Sequence, residues 1–414
     1  MIINRKYELY FLFLLLLPIL VLRMNIESTR YCTPDSVYYL EVSKNILSGY
    51  GAVGPKAFDY NKDKTKIFPL YDQTPFGHPD LYKKEYFAIW PLGYPSCIVV
   101  VSYITKLSPL WASKLVNLLL LALCFFLLYQ LFDGTSYLPM YYFGSFTMLE
   151  ICSYTWSENL FIPFFLLFIL ALKKIHNSDK VTSINIILLS ISLLMMCLAR
   201  YASVIFYFVA FIFMVYYFKK KSFERVRTFF YGLVLSTTLL GLYLFNNYLR
   251  SGYMTGMPRV STQDFTPLEL IEKFFMGMFH QLHLIKQFRF SGTADMLLYL
   301  VLAALQLCLI FYIGYLLWKS KIVKSIANKS AALLSIGMLY LVFLVYMTFT
   351  STIDPFDYRT LLPFSFPVMI VLLFEIEERL NLANQKKAIL IVKLFFVFSM
   401  FMNLPKKYLL ELLF

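Results

Sequence analysis

The segment YCTPDSVYYLEVSKNILSGYG, residues 31–51, follows the first apolar run of the chain and predicts a complete short helix. Thr33 is a residue type that caps helix N-termini, and Pro34 suits the first turn. Asp35 falls where the helix dipole favours an anion, and Gly49 is placed to end the helix. The segment therefore carries its own start and stop signals.

A helical wheel divides this segment into a polar and an apolar face. The polar face holds Glu41, Lys44, Asn45 and Ser48, and the apolar face holds Tyr38, Tyr39, Val42 and Ile46. Because the helix is too short to span a bilayer, we expect it to lie in the membrane interface, with its apolar face against lipid or other helices. Asp35 heads the apolar face and so points into the protein. The alternative is an acid that only stabilises the helix dipole.

Composition indicates an all-α polytopic integral membrane protein. Of 414 residues, 59% are hydrophobic and only 15% are charged, which is far more apolar than soluble domains. The net charge of +14 comes from Lys and Arg in short loops between apolar runs, so it predicts a lipid bilayer as partner and no nucleic acid. Six scattered cysteines without CxxC spacing predict neither a disulfide framework nor a zinc site.

Apolar runs predict a bundle of about eleven transmembrane helices. The runs are 9–22, 111–132, 137–154, 158–172, 181–198, 202–218, 228–249, 296–318, 331–351, 360–376 and 388–404. Threaded from a cytoplasmic N-terminus, these spans put every lysine-rich loop on one side, as the positive-inside rule requires. The run 94–105, interrupted by prolines, would invert this arrangement as a span, so it is predicted to be a second interfacial or re-entrant helix.

This threading makes residues 25–110 a first outer loop with interfacial helices and 250–295 a second large outer loop, within one domain over 1–414. The remaining polar features gather at the outer face: Asp35, Glu158, Arg200, the second outer loop and the DPFDYR segment 354–359. Ionisable groups near lipid are costly unless they pair or act, so this convergence predicts a functional site. Nothing comparable is expected at the cytoplasmic face, and no ionisable residue is expected mid-helix on an ion path.

Several motifs resemble the GT-C glycosyltransferases, and within them the bacterial branch related to protein O-mannosyltransferases and aminoarabinose transferases. They are PDSVYYLEVSKNILSGYG, WPLGYPSCIVVVSYITKLSP, SENLF and DYRTLLPFSFPV, in that order along nearly the whole chain. The resemblance implies a GT-C-like bundle in a bacterial-type inner (plasma) membrane. It also implies transfer of a sugar, with inversion, from a polyprenyl-phosphate donor to a glycan, lipid or protein acceptor on the outer side.

The resemblance assigns the catalytic role to Asp35, the acid of the first outer loop. Many family members have paired acids in this loop, whereas Asp35 follows Pro34 and has no acidic neighbour. Glu158 could supply a second carboxylate as a supporting acid or metal ligand, or could act with Ser157 at its own helix start. The resemblance implies no definite cofactor, and the need for a divalent cation stays open.

The chemistry needs a base and a cationic clamp. A positioned carboxylate can activate an acceptor hydroxyl, and bidentate arginine suits the departing phosphate. The candidates for the clamp are Arg200, Arg250, Arg259, Arg289 and Arg359. Arg200 could instead snorkel to the interface, and Arg359 could pair with nearby aspartates.

Acceptor or sugar contacts are predicted for Tyr38, Tyr39, His78, His280 and His283. His280 and His283 share a helical spacing that metal ligands use, but without a third ligand nearby an interfacial pair is favoured. For His78, in the long first loop, a turn residue is favoured over an acceptor contact. The alternatives to a glycosyltransferase are a lipid-linked glycan flippase or other transporter, and a glycan polymerase or ligase.

Overall fold

A computed structural model describes residues 5–29, 32–54, 85–86, 88–178, 180–255, 265–282, 293–319, 328–350 and 356–405. The chain divides into two compact units, which are treated separately below. Unit 1 comprises Met1–Leu22, Leu128–Glu150 and Val260–Phe414, and unit 2 comprises Arg23–Leu127 and Ile151–Arg259.

The described residues are almost entirely helical. The first eight helices are α1 (Arg5–Thr29), α2 (Pro34–Leu47), α3 (Gly93–Thr105), α4 (Pro109–Leu131), α5 (Leu138–Tyr141), α6 (Phe146–Ser153), α7 (Glu158–Asn177) and α8 (Ser183–Ala199). The next seven are α9 (Ile205–Lys219), α10 (Phe223–Ser251), α11 (Pro267–Leu282), α12 (Thr293–Lys319), α13 (Asn328–Thr350), α14 (Leu362–Leu382) and α15 (Lys386–Met402). Two-residue strands β1 (Val53–Gly54) and β2 (Glu85–Tyr86) pair antiparallel, with Val53 opposite Tyr86.

Seven of the described helices are long and apolar enough to cross a membrane, which makes the chain an integral multi-pass membrane protein. They are α1, α4, α7, α9 with the 3-10 turn before it, α10, α12 and α13. Each matches a predicted span. The other predicted spans fall on α8 and α15, with 17 residues each, on α14, which carries several charges near its end, and on the broken segment 137–154.

The segment 137–154 is not the continuous helix that its hydropathy predicts. It forms α5, a 3-10 turn over Tyr142–Gly144 and α6, and Ser145 between the last two has extended backbone. Pro139 and Gly144 are the sequence features that favour such a break. Nearly all of its residues are buried, which agrees with the rule that non-helical backbone at membrane depth is tolerated where protein surrounds it.

Helix α2 in unit 2 forms where the sequence predicts it. Thr33 is the N-cap, Pro34 begins the helix, and Gly49 lies just beyond its end with a φ of +80°. Its apolar residues Val37 and Leu40 are buried with Leu110 of α4. Burial of aliphatic side chains of this size contributes about 1.5–3 kcal/mol each, so packing against α4 holds the helix more firmly than its own propensity does.

The predicted polar face of α2 is wrong at one position. Asn45 is buried, because its side-chain amide donates to the Val53 backbone oxygen of β1 at 2.9 Å. Lys44 and Ser48 are exposed, as predicted. A polar residue on a helical wheel can therefore be drawn inward when a neighbouring strand offers it a backbone acceptor.

Close helix contacts in unit 2 depend on glycine. Helix α8 packs against α7, α10 and α3. A Cβ on Gly93 would lie 2.5 Å from the Leu198 backbone oxygen of α8, and one on Gly232 would lie 2.7 Å from the Leu189 side chain. The approach of α3 to α8 therefore requires a residue without a side chain at position 93.

Candidate active site

The N-terminus of α2 presents Asp35 in a half-buried first turn. The Thr33 hydroxyl accepts the Ser36 backbone N–H at 3.3 Å, which is the expected N-cap bond. The same hydroxyl oxygen accepts the indole N–H of Trp156 at 2.8 Å. Because Trp156 lies in the loop before α7, this hydrogen bond brings the predicted residues Asp35 and Glu158 to the same region of unit 2.

A buried ion pair lies directly behind this turn. Glu27 near the end of α1 pairs with Lys114 in the first turns of α4. The other oxygen of the Glu27 carboxylate accepts the Ser36 hydroxyl, and the paired oxygen also accepts the backbone N–H and hydroxyl of Thr155, at 3.0 and 2.8 Å. These four residues, named the Glu27 cluster, are each at most 3% exposed.

Lys114 and Asn117 of α4 also satisfy the C-terminal end of α6. The Lys114 ammonium donates to the Ser153 backbone oxygen at 2.9 Å, and the Asn117 amide donates to the backbone oxygens of Cys152 and Tyr154. The last carbonyls of a helix have no partner inside it, and a cation there also complements its dipole. The charge of Lys114 is therefore balanced by a carboxylate and a helix end.

Sequence reasoning missed Glu27 and Lys114. Each lies beside an apolar run, where Glu27 looks like the polar flank of a span and Lys114 looks like an interfacial anchor. The available signal was the cost of a lysine inside a helix as apolar as α4. Its partner could not be identified, because the two residues are 87 positions apart.

Glu158 and Arg200 form the second ion pair of the region. Glu158 begins α7 and is 2% exposed, and Arg200 follows the end of α8 with one guanidinium nitrogen 3.2 Å from the Glu158 carboxylate. Ser157 makes no side-chain capping bond to α7. The pair neutralises both side chains, so neither presents a full charge to a ligand in this arrangement.

Tyr38 and Tyr39 pack inside the protein. Trp90 lies against both, with ring centroids 4.9 and 6.2 Å away, and Tyr94 meets Tyr39 edge-on at 5.5 Å. Tyr39 is only 1% exposed and Tyr38 7%. The two rings thus join α2 to the segment before α3 and offer little surface to a sugar.

Arg250 lies exposed in the last turn of α10, with its guanidinium 5.3 Å from the centre of the Tyr86 ring. The Tyr86 hydroxyl donates to Asn247, which is fully buried, at 2.9 Å. Burial raises the pKa of Tyr86, the neighbouring Tyr243 phenol adds to this rise, and the Arg250 charge opposes it. Arg250 is therefore an exposed arginine in contact with Tyr86, which is itself hydrogen-bonded to a buried asparagine.

An apolar cavity of about 550 Å³ lies in unit 2 between α3, α4, α8 and α10. Most of its lining is aliphatic, with Val100, Leu119 and Leu198 among the residues that form it. Tyr243 also lines it, and the hydroxyl of this residue accepts the Leu92 backbone N–H at 3.1 Å and contacts the Tyr201 hydroxyl. The size is within the range of ligand sites, and the walls suit a hydrocarbon chain.

The other predicted site residues are elsewhere or outside the description. Arg359 is half-buried in unit 1, next to Tyr358, whose pKa is raised by burial and by the Glu150 carboxylate. His280 falls in α11, but its side chain is outside the described part of the chain. Four further predicted residues lie outside the described residues: His78, Arg259, His283 and Arg289. Across the residues that are described, no three His, Cys, Asp or Glu side chains gather as a metal site.

Unit 1 contains a cluster of ionisable and polar side chains that the sequence analysis did not predict. Lys393 of α15 bridges Glu8 of α1, at 2.5 Å, and Glu377 of α14, at 3.9 Å, and the Tyr141 hydroxyl donates to Glu8 at 2.9 Å. Glu377 also accepts the Ser136 hydroxyl at 2.6 Å. We name these five residues the Glu377 cluster.

The cluster joins residues of α1, α14 and α15 to residues in and just before α5. Glu377 lies near the end of α14, and Lys393 lies near the middle of α15. Nothing in the sequence of either helix indicates that these two side chains pair.

No family model matches the chain, and no curated protein or solved structure matches it. The resemblance to GT-C glycosyltransferases therefore rests on sequence motifs alone.

Proposed function

We propose that this chain is a membrane glycosyltransferase. It transfers a sugar, with inversion, from a polyprenyl-phosphate donor to an acceptor at the outer face of the membrane. The observation that carries the proposal is the position of Asp35, a half-buried residue in the first turn of α2, where the hydroxyls of Thr33 and Ser36 are hydrogen-bonded to Trp156 and Glu27. A general base needs such a fixed and accessible carboxylate.

The cavity between α3, α4, α8 and α10 is the proposed site of the prenyl chain. Its aliphatic walls suit an isoprenoid chain. Tyr243 lines the cavity, and its hydroxyl contacts the hydroxyl of Tyr201. Arg250 is the preferred clamp for the donor phosphate, because its guanidinium is exposed whereas Arg200 is neutralised by Glu158. A guanidinium that faces the leaving phosphate stabilises its growing charge.

In the proposed reaction the Asp35 carboxylate takes the proton of the acceptor hydroxyl, whose oxygen attacks the anomeric carbon of the sugar. The bond from that carbon to the phosphate oxygen breaks, and the polyprenyl phosphate leaves with the electron pair. The phosphate is already a good leaving group near neutral pH, so activation of the hydroxyl is the harder task.

The proposed orientation has a cytoplasmic N-terminus in a bacterial-type plasma membrane, with the basic loops on the same side. In this arrangement α8, α14, α15 and the broken α5–α6 segment also cross the membrane, which with the seven long helices gives about eleven crossings.

The test is transfer from a panel of radiolabelled polyprenyl-phosphate sugars in membranes. Asp35→Asn is expected to lower transfer by about 10²–10⁴-fold, the usual contribution of a general base. Glu41→Gln is the matched control, since it neutralises another partly buried acid of α2. Full transfer by Asp35→Asn would exclude Asp35 as the base. Loss of transfer on addition of a chelator would add a divalent cation, with Glu158 as its candidate ligand.

A lipid-linked glycan transporter is the second candidate. The broken α5–α6 segment favours it, because discontinuous helices are typical of transporter sites. If the wild-type protein carries labelled lipid across the bilayer and transfers no sugar, the transporter replaces the enzyme.

A further inference from the structure

The ion pair and hydrogen bonds of the Glu27 cluster are not explained by stability alone. A buried ion pair contributes little net stability, because desolvation of the charges offsets their attraction and apolar residues of the same volume often serve as well. Both charged groups here have several hydrogen-bond partners besides each other. Such a network holds in place the chain segments whose residues are hydrogen-bonded to the ion pair.

One of those bonds leads to the candidate base. The oxygen of Glu27 that faces away from Lys114 accepts the hydroxyl of Ser36, the residue directly after Asp35. The Ser36 hydroxyl also contacts the Thr33 hydroxyl at 2.7 Å, and Thr33 is two residues before Asp35. The residues on both sides of Asp35 are thus joined to the ion pair.

We propose that Glu27 and Lys114 are positioning residues, which hold the first turn of α2 through Ser36 and so set the place of the Asp35 carboxylate. The last step of this inference rests on the proposed function, because it takes Asp35 as the base. The earlier steps concern only where α2 is held. The first turn of a helix has backbone donors without helical partners, so side chains from neighbouring segments decide its position.

Cys32 is a native reporter for the position of α2. It precedes the helix, is 2% exposed, and its thiol lies 3.4 Å from the Glu27 backbone oxygen. Maleimide can reach it only when the start of α2 opens. Measurement in a Cys97→Ser/Cys308→Ser background removes the two cysteines that are not buried.

Ser36→Ala cuts the link to α2 and leaves the ion pair intact, and it is expected to raise the Cys32 labelling rate about tenfold. Lys114→Met is expected to raise it further, because Glu27 then lacks its counter-charge. Ser43→Ala is the matched control. It removes another buried hydroxyl of α2, which bonds chiefly to the backbone of its own helix at Tyr39, and it is expected to label at the wild-type rate.

Transfer kinetics separate positioning from general stability. Ser36→Ala is expected to lower kcat by about tenfold or more with an unchanged donor KM, since a slightly displaced base affects the chemical step. An unchanged Cys32 labelling rate in Ser36→Ala would overturn the proposal, as would faster labelling with unchanged kcat. Ser36→Ala decides the matter alone if Lys114→Met does not accumulate. If Asp35→Asn keeps full transfer, the proposed base is wrong, while Cys32 labelling still decides whether the ion pair holds α2.

Discussion

The Glu27 cluster of unit 2 and the Glu377 cluster of unit 1 are both built on a glutamate and a lysine, yet they hold different things. Glu27 accepts the hydroxyl of Ser36, next to Asp35, and the hydroxyl and backbone N–H of Thr155, in the loop between α6 and α7. Glu377 accepts the backbone N–H groups of Tyr137 and Leu138, at 2.9 and 2.7 Å, and so caps the start of α5. The first cluster is hydrogen-bonded to the first turn of α2, and the second to the start of the broken segment.

The two ion pairs also differ in how deeply they are buried. The side chains of the Glu27–Lys114 pair are at most 4% exposed, whereas Lys393 and Glu8 are 15% and 19% exposed. The Glu8–Lys393 pair is therefore less enclosed by protein than the Glu27–Lys114 pair. The comparison teaches that two similar ion pairs in one membrane protein need not contribute equally to stability or to function.

The largest difference is expected when each lysine is replaced. Lys114→Met leaves Glu27 buried without a counter-charge and is expected to lower the free energy of unfolding by about 3–5 kcal/mol. Lys393→Met is expected to cost less, because Glu8 is less enclosed by protein and keeps its hydrogen bond from Tyr141. Chemical unfolding in mixed micelles, followed by near-ultraviolet circular dichroism, measures both. Equal losses of unfolding free energy would mean that the difference in burial does not affect how much each ion pair contributes to stability.

A smaller effect is expected at the cap of α5. Glu377→Gln keeps an oxygen acceptor but loses the charge that strengthens its bonds to Tyr137 and Leu138, so stability should fall by about 1–2 kcal/mol. Transfer activity per folded molecule should stay at the wild-type level, because this carboxylate lies outside the proposed site. A selective loss of activity with unchanged stability would move the functional role into unit 1.

The smallest effect is expected at a surface pair. Arg227 and Glu224 at the start of α10 are 3.0 Å apart, with side chains 63% and 46% exposed. Arg227→Ala should change the free energy of unfolding by no more than about 0.5 kcal/mol, since water and salt screen such pairs. Unfolding measured at low and high salt checks this, and a loss comparable to that of Lys114→Met would show that burial is not what distinguishes the pairs.

Features that depend on a few neighbouring residues were predictable from the sequence. The cap, the first turn and the end of α2 were predictable from Thr33, Pro34 and Gly49, because each acts within a few residues. The long apolar helices were predictable because membrane thickness sets their length.

Contacts between distant segments were not predictable in the same way. Asn45 looked like a solvated residue until a strand supplied its acceptor, and Tyr38 looked like a ligand contact until Trp90 covered it. The partners of Glu27 and of Glu377 depend on how separate segments pack, and no periodicity in one segment reports the position of another. Only the cost of a charge among apolar residues indicated that partners must exist.

The capping of α5 has a consequence for biosynthesis. Ser136, Tyr137 and Leu138 are synthesised 239 to 241 residues before the glutamate that accepts their hydrogen bonds. The last segment of unit 2 ends at Arg259, so that unit can close on a growing chain while the broken segment still waits for α14. During that interval the N–H groups of Tyr137 and Leu138 lack the acceptor that they have in the folded protein, and peptide groups without a partner are costly in lipid.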